Sequence, residues 1–178
     1  GEVARGGGVF VRGNATIIGS TIDGNLADGD GGGLFKPFAS YCVDHNTTLT
    51  IRNSTLSGNS AGGAGGGFAS ERPTTLANST LAFNRSAFGG ALMFRLANLQ
   101  CDQALGTLDL ESSILAGNLV GDAAPYAADF DADDTLAVTG ANSLVMVADP
   151  AITLPGDTLD ADPLLLPLAD NGGPTQTL

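Results

Sequence analysis

The sequence has little of what a nucleic-acid or anionic-membrane partner requires. It contains no tryptophan, one histidine, one lysine and six arginines, and aromatic residues make up only 6% of the chain. Against seven basic residues stand 19 acidic ones, so the net charge is −12. A surface of this sign repels phosphate groups, and no segment combines basic with aromatic side chains. We therefore expect no nucleic-acid partner.

Long apolar runs are also missing. No apolar stretch approaches the roughly 18 residues of a membrane-spanning helix, so the sequence predicts no transmembrane segment. Residue 1 lies in what looks like a glycine-rich turn, without a signal peptide, which favours a mature fragment or an excised domain. The scarcity of lysine, the abundance of Asn, Gly, Ser and Thr, and the two cysteines are typical of an exported protein with one disulfide. We expect an extracellular or cell-surface location, although two cysteines also fit buried thiols.

The composition favours β-structure. Apolar residues make up 43% of the chain and 26 residues are glycine. Gly, Ser, Thr and Asn interrupt nearly every helical pattern, whereas short alternating runs recur, such as "TLTI" at 48–51 and "TLDL" at 107–110. We predict an all-β chain.

A short motif occurs four times, as "STIDGN", "STLSGN", "STLAFN" and "SILAGN". Its asparagines are spaced by 34, 25 and 34 residues, and they are Asn25, Asn59, Asn84 and Asn118. The two longer spacings carry extra residues at one place, "KPFASYCVDHN" at 36–46 and "RLANLQCDQALG" at 95–106. Insertions confined to one corner are typical of stacked coils. The shortest spacing is therefore the repeat without an insertion, and it predicts a coil of about 25 residues.

Three apolar columns appear when the repeats are aligned. They are Ile17, Ile51, Leu76 and Leu110; Ile22, Leu56, Leu81 and Leu115; and Val9, Leu34, Phe68 and Leu92. Three columns predict three strand faces around one core, with neighbouring coils paired as parallel strands about 4.8 Å apart. We therefore predict a right-handed parallel β-helix of roughly five coils over residues 1–148, followed by an extended or capping segment over residues 149–178.

The repeated asparagines are predicted to form a ladder inside the solenoid. An inward-facing amide can donate a hydrogen bond to one neighbouring coil and accept one from the other. A residue with positive φ is expected before each asparagine, which suits Gly24, Gly58 and Gly117, whereas Phe83 occupies the fourth place. Runs of glycine at 6–8, 31–33 and 65–67, with a pair at 89–90, predict a second corner.

These repeats, followed by "DADPLLLPLADNGGPTQTL" at 160–178, resemble the bacterial choice-of-anchor Q domain proteins, many of which carry right-handed, pectate-lyase-like β-helix repeats. The "GGAL" at 89–92 is also similar to the repeats of the chlamydial polymorphic outer membrane proteins. The resemblance implies export and surface attachment. It implies no defined catalytic residues.

An enzyme is the alternative, because parallel β-helices often carry polysaccharide lyases and glycoside hydrolases. Carboxylates for an acid–base pair exist at Asp109, Asp129, Asp131, Asp133 and Asp134. The cations and histidines that such sites place around the carboxylates are scattered or absent. The alternating carboxylates of the "DFDADD" segment at 129–134 make a calcium site an alternative. The segment lacks the glycine and closing glutamate of a calcium loop, so we favour a solvated acidic turn and expect no cofactor.

Two further patterns are interpreted structurally. Glycosylation sequons occur at Asn14, Asn46, Asn53, Asn78 and Asn84, and we attribute them to the turn chemistry of Asn, Ser and Thr. An outward threonine column at Thr16, Thr50 and Thr75 suggests ice binding as a further function. Because Asp109 occupies the next position of the column, cross-strand packing of threonine explains the pattern better.

We expect a secreted or cell-surface, non-catalytic module that acts as a stalk, an adhesin or a carbohydrate-contacting domain. Its expected partners are surface glycans, cell-surface proteins or other copies of the chain. The two insertions are candidate recognition loops, since loops on a rigid scaffold commonly carry binding residues. The candidate contact residues are Lys36, Phe38, Tyr41, His45, Arg95 and Gln100. For His45 alone, a solvated surface residue is favoured over a ligand.

Cys42 and Cys101 occupy matching places, each seven residues before an inward leucine. The columns alone would place them about 9–10 Å apart, beyond the range of a disulfide. The slack of the two long insertions removes this obstacle, so we expect a disulfide in preference to two separate thiols.

Overall fold

The computed structural model describes residues 3–37, 47–94, 106–122, 125–132 and 136–178. Within these ranges every regular element is a β-strand, which agrees with the predicted class. The strands of the first two coils are β1 (Val9–Phe10), β2 (Ala15–Ile18), β3 (Thr21–Asp23), β4 (Leu26–Ala27), β5 (Leu34–Lys36), β6 (Leu49–Arg52), β7 (Thr55–Ser57) and β8 (Ser60–Ala64). Those of the third and fourth coils are β9 (Phe68–Ser70), β10 (Thr74–Ala77), β11 (Thr80–Ala82), β12 (Arg85–Phe88), β13 (Leu92–Phe94), β14 (Thr107–Glu111), β15 (Ile114–Ala116) and β16 (Leu119–Val120). The last four are β17 (Tyr126–Ala127), β18 (Phe130–Ala132), β19 (Ala137–Thr139) and β20 (Leu144–Val145).

The strands form four sheets of five strands each. Sheet A contains β1, β5, β9, β13 and β18, and sheet B contains β2, β6, β10, β14 and β19. Sheet C contains β3, β7, β11, β15 and β20, and sheet D contains β4, β8, β12, β16 and β17. In the first four coils the chain passes through the sheets in the order A, B, C, D; β17 then turns back antiparallel onto β16 before β18, β19 and β20 add the last strands of sheets A, B and C. This is a parallel β-helix of five coils, as predicted.

The three apolar columns lie in the predicted register. Ile17, Ile51, Leu76 and Leu110 are paired partners in sheet B. The column that begins at Ile22 runs through sheet C, and the column that begins at Val9 runs through sheet A, where Phe130 extends it. All three columns face one core, in which the Phe68 and Phe94 rings pack edge to face with centroids 6.3 Å apart. A shared apolar core of this kind is the main source of stability of the solenoid.

The prediction of three strand faces is wrong, because the coil has a fourth sheet. The inward positions of sheet D are held by Ala27, Ala61, Ser86 and Val120, all buried. Three of these side chains are small, so the column shows no aliphatic pattern in the sequence. A tight side of the coil needs small residues because the backbones approach closely there.

Left-handed backbone forms three of the corners. Between sheets B and C it occurs at Gly19, Asn53, Asn78, Ser112 and Asn142, and between C and D at Gly24, Gly58, Phe83 and Gly117. Between D and A it occurs at Gly6, Gly31, Gly65 and Gly89. The second and third sets are the positions that the repeat predicts. Phe83 adopts φ 59° although it is not glycine, which is a strained conformation for an aromatic residue.

After β20 the chain returns across the outside of sheet C. Leu159 first adds a parallel bridge to Leu144. Residues 162–166 then run beside Phe83, Ala116 and Met146, and the Thr21 hydroxyl donates to the Gln176 carbonyl at 2.9 Å. We call residues 160–178 the strap. In the part of the chain that the structure describes, no helix is long and apolar enough to cross a membrane.

Candidate functional site

The most ordered polar feature is the asparagine ladder at the corner between sheets C and D. The Oδ1 atoms of Asn59, Asn84 and Asn118 each accept from both the backbone N–H and the side-chain amide of the asparagine one coil earlier. The amide bonds are 2.9 Å from Asn25 to Asn59, 3.0 Å from Asn59 to Asn84 and 2.9 Å from Asn84 to Asn118. The parallel backbone bonds are 2.9–3.0 Å long. The ladder therefore has a direction, with donors pointing towards the last coil.

Asp129 ends this ladder. Its Oδ1 accepts from the Asn118 amide at 2.7 Å and from the Asn118 backbone N–H at 2.8 Å, and its Oδ2 accepts from the Val147 N–H at 2.9 Å. A carboxylate has only acceptors, so it can close a ladder of donors. Asp129 is fully buried, which makes the predicted solvated acidic turn wrong at this residue. Its carboxylate is committed to holding the backbone.

The environment of Asp129 changes its protonation. Burial removes the carboxylate from water and raises the pKa of Asp129 above its usual 3.8, while the hydrogen bonds from Asn118 and Val147 offset part of that rise. Because the pKa is higher in the folded chain than in the unfolded chain, folding takes up a proton between these two values. The stability that this effect contributes is complete below pH 3.8 and is lost as the pH rises through the raised pKa.

We therefore expect the Asp129→Asn variant to gain stability relative to the wild type as the pH rises through this window. Amide and carboxyl groups are close in size, and the loss of the bond from the Val147 N–H, which an amide NH2 cannot accept, shifts the stability equally at every pH, so the pH trend isolates the charge. Urea unfolding at several values between about pH 4 and pH 8 measures the difference in free energy of unfolding. Asp28→Asn, at an exposed position, is the control. The same pH trend in both variants would contradict burial of Asp129 as its cause.

A second ladder, of serine hydroxyls, follows the corner between sheets B and C and was missed by sequence reasoning. The backbone N–H of each serine donates to the hydroxyl of the next, from Ser20 through Ser54, Ser79 and Ser113 to Ser143, at 3.1–3.2 Å. The recurring "NS" and "SS" pairs were the available signal. Asn53 and Asn78 are the left-handed residues before two of these serines, so their sequons belong to the turns, and Asn84 is buried in the other ladder.

The outer side of sheet B is a polar surface. Its first column, Thr16, Thr50, Thr75, Asp109 and Thr139, consists of paired partners with half-buried or exposed side chains. The adjacent column places Arg52 and Glu111 on the same side. We call these seven residues the B face. Stacked at about 4.8 Å per rung, the first column gives a straight row of hydroxyl and carboxylate groups about 19 Å long.

The candidate carboxylates do not converge. Asp109 lies on the B face, Asp129 is buried in the ladder, and Asp131 lies on the outer side of sheet A beside Met93. Asp133 and Asp134 lie outside the described residues. Among the residues that are described, no group of three His, Cys, Asp or Glu side chains is arranged to hold a metal ion.

Lys36 is not a surface contact residue, which corrects its assignment to a recognition loop. It is still part of β5, where alternation turns it to the same side as Leu34, and it is fully buried. Its ammonium group donates to the carbonyls of Arg12 at 3.4 Å and Gly13 at 2.5 Å. Lys36 thus ties β5 to the loop of the first coil.

The other candidates in the two insertions lie outside the described residues. These are Phe38, Tyr41, His45, Arg95 and Gln100, and also the cysteines of the expected disulfide, Cys42 and Cys101. Their roles and the Cys42–Cys101 bond stay predictions.

Comparison of the chain with family models, with curated proteins and with solved structures found no match.

Proposed function

We propose that the chain is an exported, non-catalytic β-helix module of a cell surface, working as a stalk or adhesin whose B face contacts carbohydrate. The observation that carries the proposal is the row of hydroxyl and carboxylate groups on the outer side of sheet B, half-buried at Thr50 and Thr75 and exposed at the other positions. Sugar hydroxyls both donate and accept hydrogen bonds. Threonine hydroxyls do the same, Asp109 and Glu111 accept, and Arg52 donates.

The rigidity of this row supports binding. The B-face residues belong to strands that are hydrogen-bonded to their neighbours, and β6, β10 and β14 are anchored by buried leucine or isoleucine side chains on the other side, as at Ile51 and Leu76. Groups held this way lose little conformational entropy when a ligand binds. Export and surface attachment are supported by the composition and by the resemblance of the repeats.

We expect a glycan-array screen to identify bound glycans, and the double change Thr50→Val with Thr75→Val to weaken their binding by tenfold or more. Valine keeps the β-branched shape and removes only the hydroxyls. Thr153→Val, at an exposed position on the C-terminal segment, is the matched control and should bind as the wild type does. Failure of the wild-type chain to bind any glycan, or unchanged binding by the double variant, would contradict the proposal.

A polysaccharide lyase or glycoside hydrolase is the second candidate. The observation in its favour is that Asp109 and Glu111 project from the same side of β14, two residues apart and therefore about 6–7 Å from each other along the strand. Such a separation is within the range of paired catalytic carboxylates. Depolymerisation of a bound polysaccharide by the wild-type chain, abolished in Asp109→Asn, would establish this activity and make the non-catalytic proposal wrong.

A further inference from the structure

The strap lies on the outside of the coils with few fixed contacts. All of its residues are half-buried or exposed. Among the residues that the structure describes, one hydrogen bond joins the strap to the coils, from the Thr21 hydroxyl to the Gln176 carbonyl at 2.9 Å. Attachment of the strap to the first coil therefore depends on how the backbone at Gln176 is held.

A small hairpin positions Gln176. Ala169 and Thr177 pair antiparallel, through two backbone hydrogen bonds of 3.0 Å. Within the loop between them, the Asn171 amide donates to the Thr177 carbonyl at 3.1 Å and to the Thr177 hydroxyl at 3.0 Å. One side chain therefore closes the hairpin directly beside the residue that contacts the first coil.

Asn171 is followed by glycine, and this is the only Asn–Gly pair in the sequence. The backbone nitrogen after an asparagine can attack the side-chain amide carbon and close a five-membered succinimide ring. A Cβ atom on the following residue hinders this attack, and Gly172 has none. Its φ of 85° is also a conformation that glycine adopts freely. Both residues are exposed, so water reaches the ring once it has formed.

At other exposed asparagines the attacking nitrogen is held by a neighbouring coil. The residues after Asn14, Asn53 and Asn78 donate their backbone N–H groups to the next coil, at 3.1–3.2 Å. The Gly172 N–H donates within its own turn instead, to Asp170 Oδ1 at 3.0 Å. Movement of this nitrogen towards the Asn171 side chain therefore breaks no bond between coils. The carboxylate that accepts the N–H is also within reach to remove its proton.

We propose that Asn171 is a site of spontaneous deamidation, and that the modification releases the strap from the coils. The Asp170 carboxylate takes the proton of the Gly172 N–H, the nitrogen forms a bond to Asn171 Cγ, and the Cγ–Nδ2 bond breaks. The leaving nitrogen takes up the transferred proton and departs as ammonia. Water then opens the ring and leaves an aspartate or an isoaspartate. The net reaction consumes one water molecule and exchanges the amide for a carboxylate.

The product cannot close the hairpin as the amide does. A carboxylate has no proton to donate, so it faces the Thr177 carbonyl as acceptor against acceptor, and it adds a second negative charge beside Asp170. The isoaspartate form also lengthens the backbone between Ala169 and Thr177 by one methylene group, which disturbs their pairing. With this pairing lost, the carbonyl of Gln176 is no longer held against the first coil.

Peptide mapping by mass spectrometry, after incubation of the full chain at mildly alkaline pH, tests the modification. We expect Asn171 to deamidate about tenfold faster than the three asparagines compared above. Asp170→Asn keeps an oxygen acceptor but removes the base, and it should slow the reaction at Asn171. Asp160→Asn, at an exposed position on the strap, is the control and should leave the rate unchanged. Equal rates at the four asparagines, or equal effects of the two variants, would overturn the proposal.

The Asn171→Asp variant tests release of the strap, because it carries the carboxylate of the product from the start. Met146 lies beside strap residues 162–166, whereas Met93, the other methionine of the chain, lies on sheet A. We expect peroxide to oxidise Met146 about fivefold faster in the variant than in the wild type, with no change at Met93.

Asn142→Asp is the matched control for this variant, since it adds the same charge at an exposed asparagine outside the strap. Oxidation of Met146 should proceed in the control as in the wild type. An unchanged rate at Met146 in Asn171→Asp, an equal acceleration at Met93, or the same acceleration in Asn142→Asp would overturn the proposal.

Discussion

Asn84→Ala is expected to lower the free energy of unfolding by about 2–5 kcal/mol. Asn84 is buried in the middle of the ladder, and its Oδ1 accepts from the Asn59 N–H and amide, both at 3.0 Å. Its own amide donates to the carbonyls of Leu56 and Ala82 and to Asn118 Oδ1. Alanine leaves these groups buried without a partner, which is more costly than the loss of an exposed hydrogen bond.

Urea unfolding followed by circular dichroism measures this loss. Asn14→Ala is the matched control, because Asn14 is exposed and, among the residues that the structure describes, its side chain bonds to Thr48 alone. We expect the control to lose less than about 1 kcal/mol. Equal losses in the two variants would show that the ladder is no more stabilising than a surface hydrogen bond.

Gly66→Ala is expected to be at least as damaging, at about 3–5 kcal/mol. Gly66 lies at the corner between sheets D and A, where consecutive coils stack backbone on backbone. A Cβ atom there would lie 2.6 Å from both Arg85 N and Gly90 O, and closer still to Arg85 O. Because all three atoms are backbone, no side chain can move to make room, and two coils must separate.

Thermal unfolding and urea unfolding of Gly66→Ala give the loss directly. Gly156→Ala is the control, since a Cβ at Gly156 meets no atom within 4 Å. We expect the control to unfold as the wild type does. A Gly66→Ala chain of wild-type stability would contradict the close backbone approach at this corner.

What the sequence predicts best is whatever repeats with a distinctive side chain. Large apolar residues recur in register in the columns through Ile51, Leu56 and Phe68, and asparagine recurs at the ladder corner, where its side chain both donates and accepts. Sheet D is not predicted, because its inward residues are small, as at Ala61 and Ser86. Alanine and serine are also common in turns, so these positions show no repeated hydrophobic pattern in the sequence. The number of sheets was therefore underestimated, whereas the number of coils was not.

The ends of the repeat are harder to predict than its middle. Asp129 takes the fifth ladder position only 11 residues after Asn118, because β17 reverses the chain and shortens the path. Because both the residue type and the spacing change at this position, an alignment of the four repeats does not reveal Asp129 as the end of the ladder. Lys36 differs from its prediction for a related reason: the repeat spacing assigns residue 36 to the insertion, whereas β5 extends one residue beyond the apolar pair at 34–35.

The strap changes how the solenoid is expected to unfold. In a stack of coils each unit contacts only its neighbours, so terminal coils can unfold while the middle persists. Here the hydrogen bond from Thr21 to Gln176 joins the first coil to a segment 155 residues later, and residues 162–166 pass beside the corners at Phe83 and Gly117 on the way. Fraying of the first coil must break its contact with the strap, and release of the strap uncovers the outer side of several coils at once. The strap therefore couples coils that do not touch, and it favours a single cooperative transition over stepwise loss from the ends.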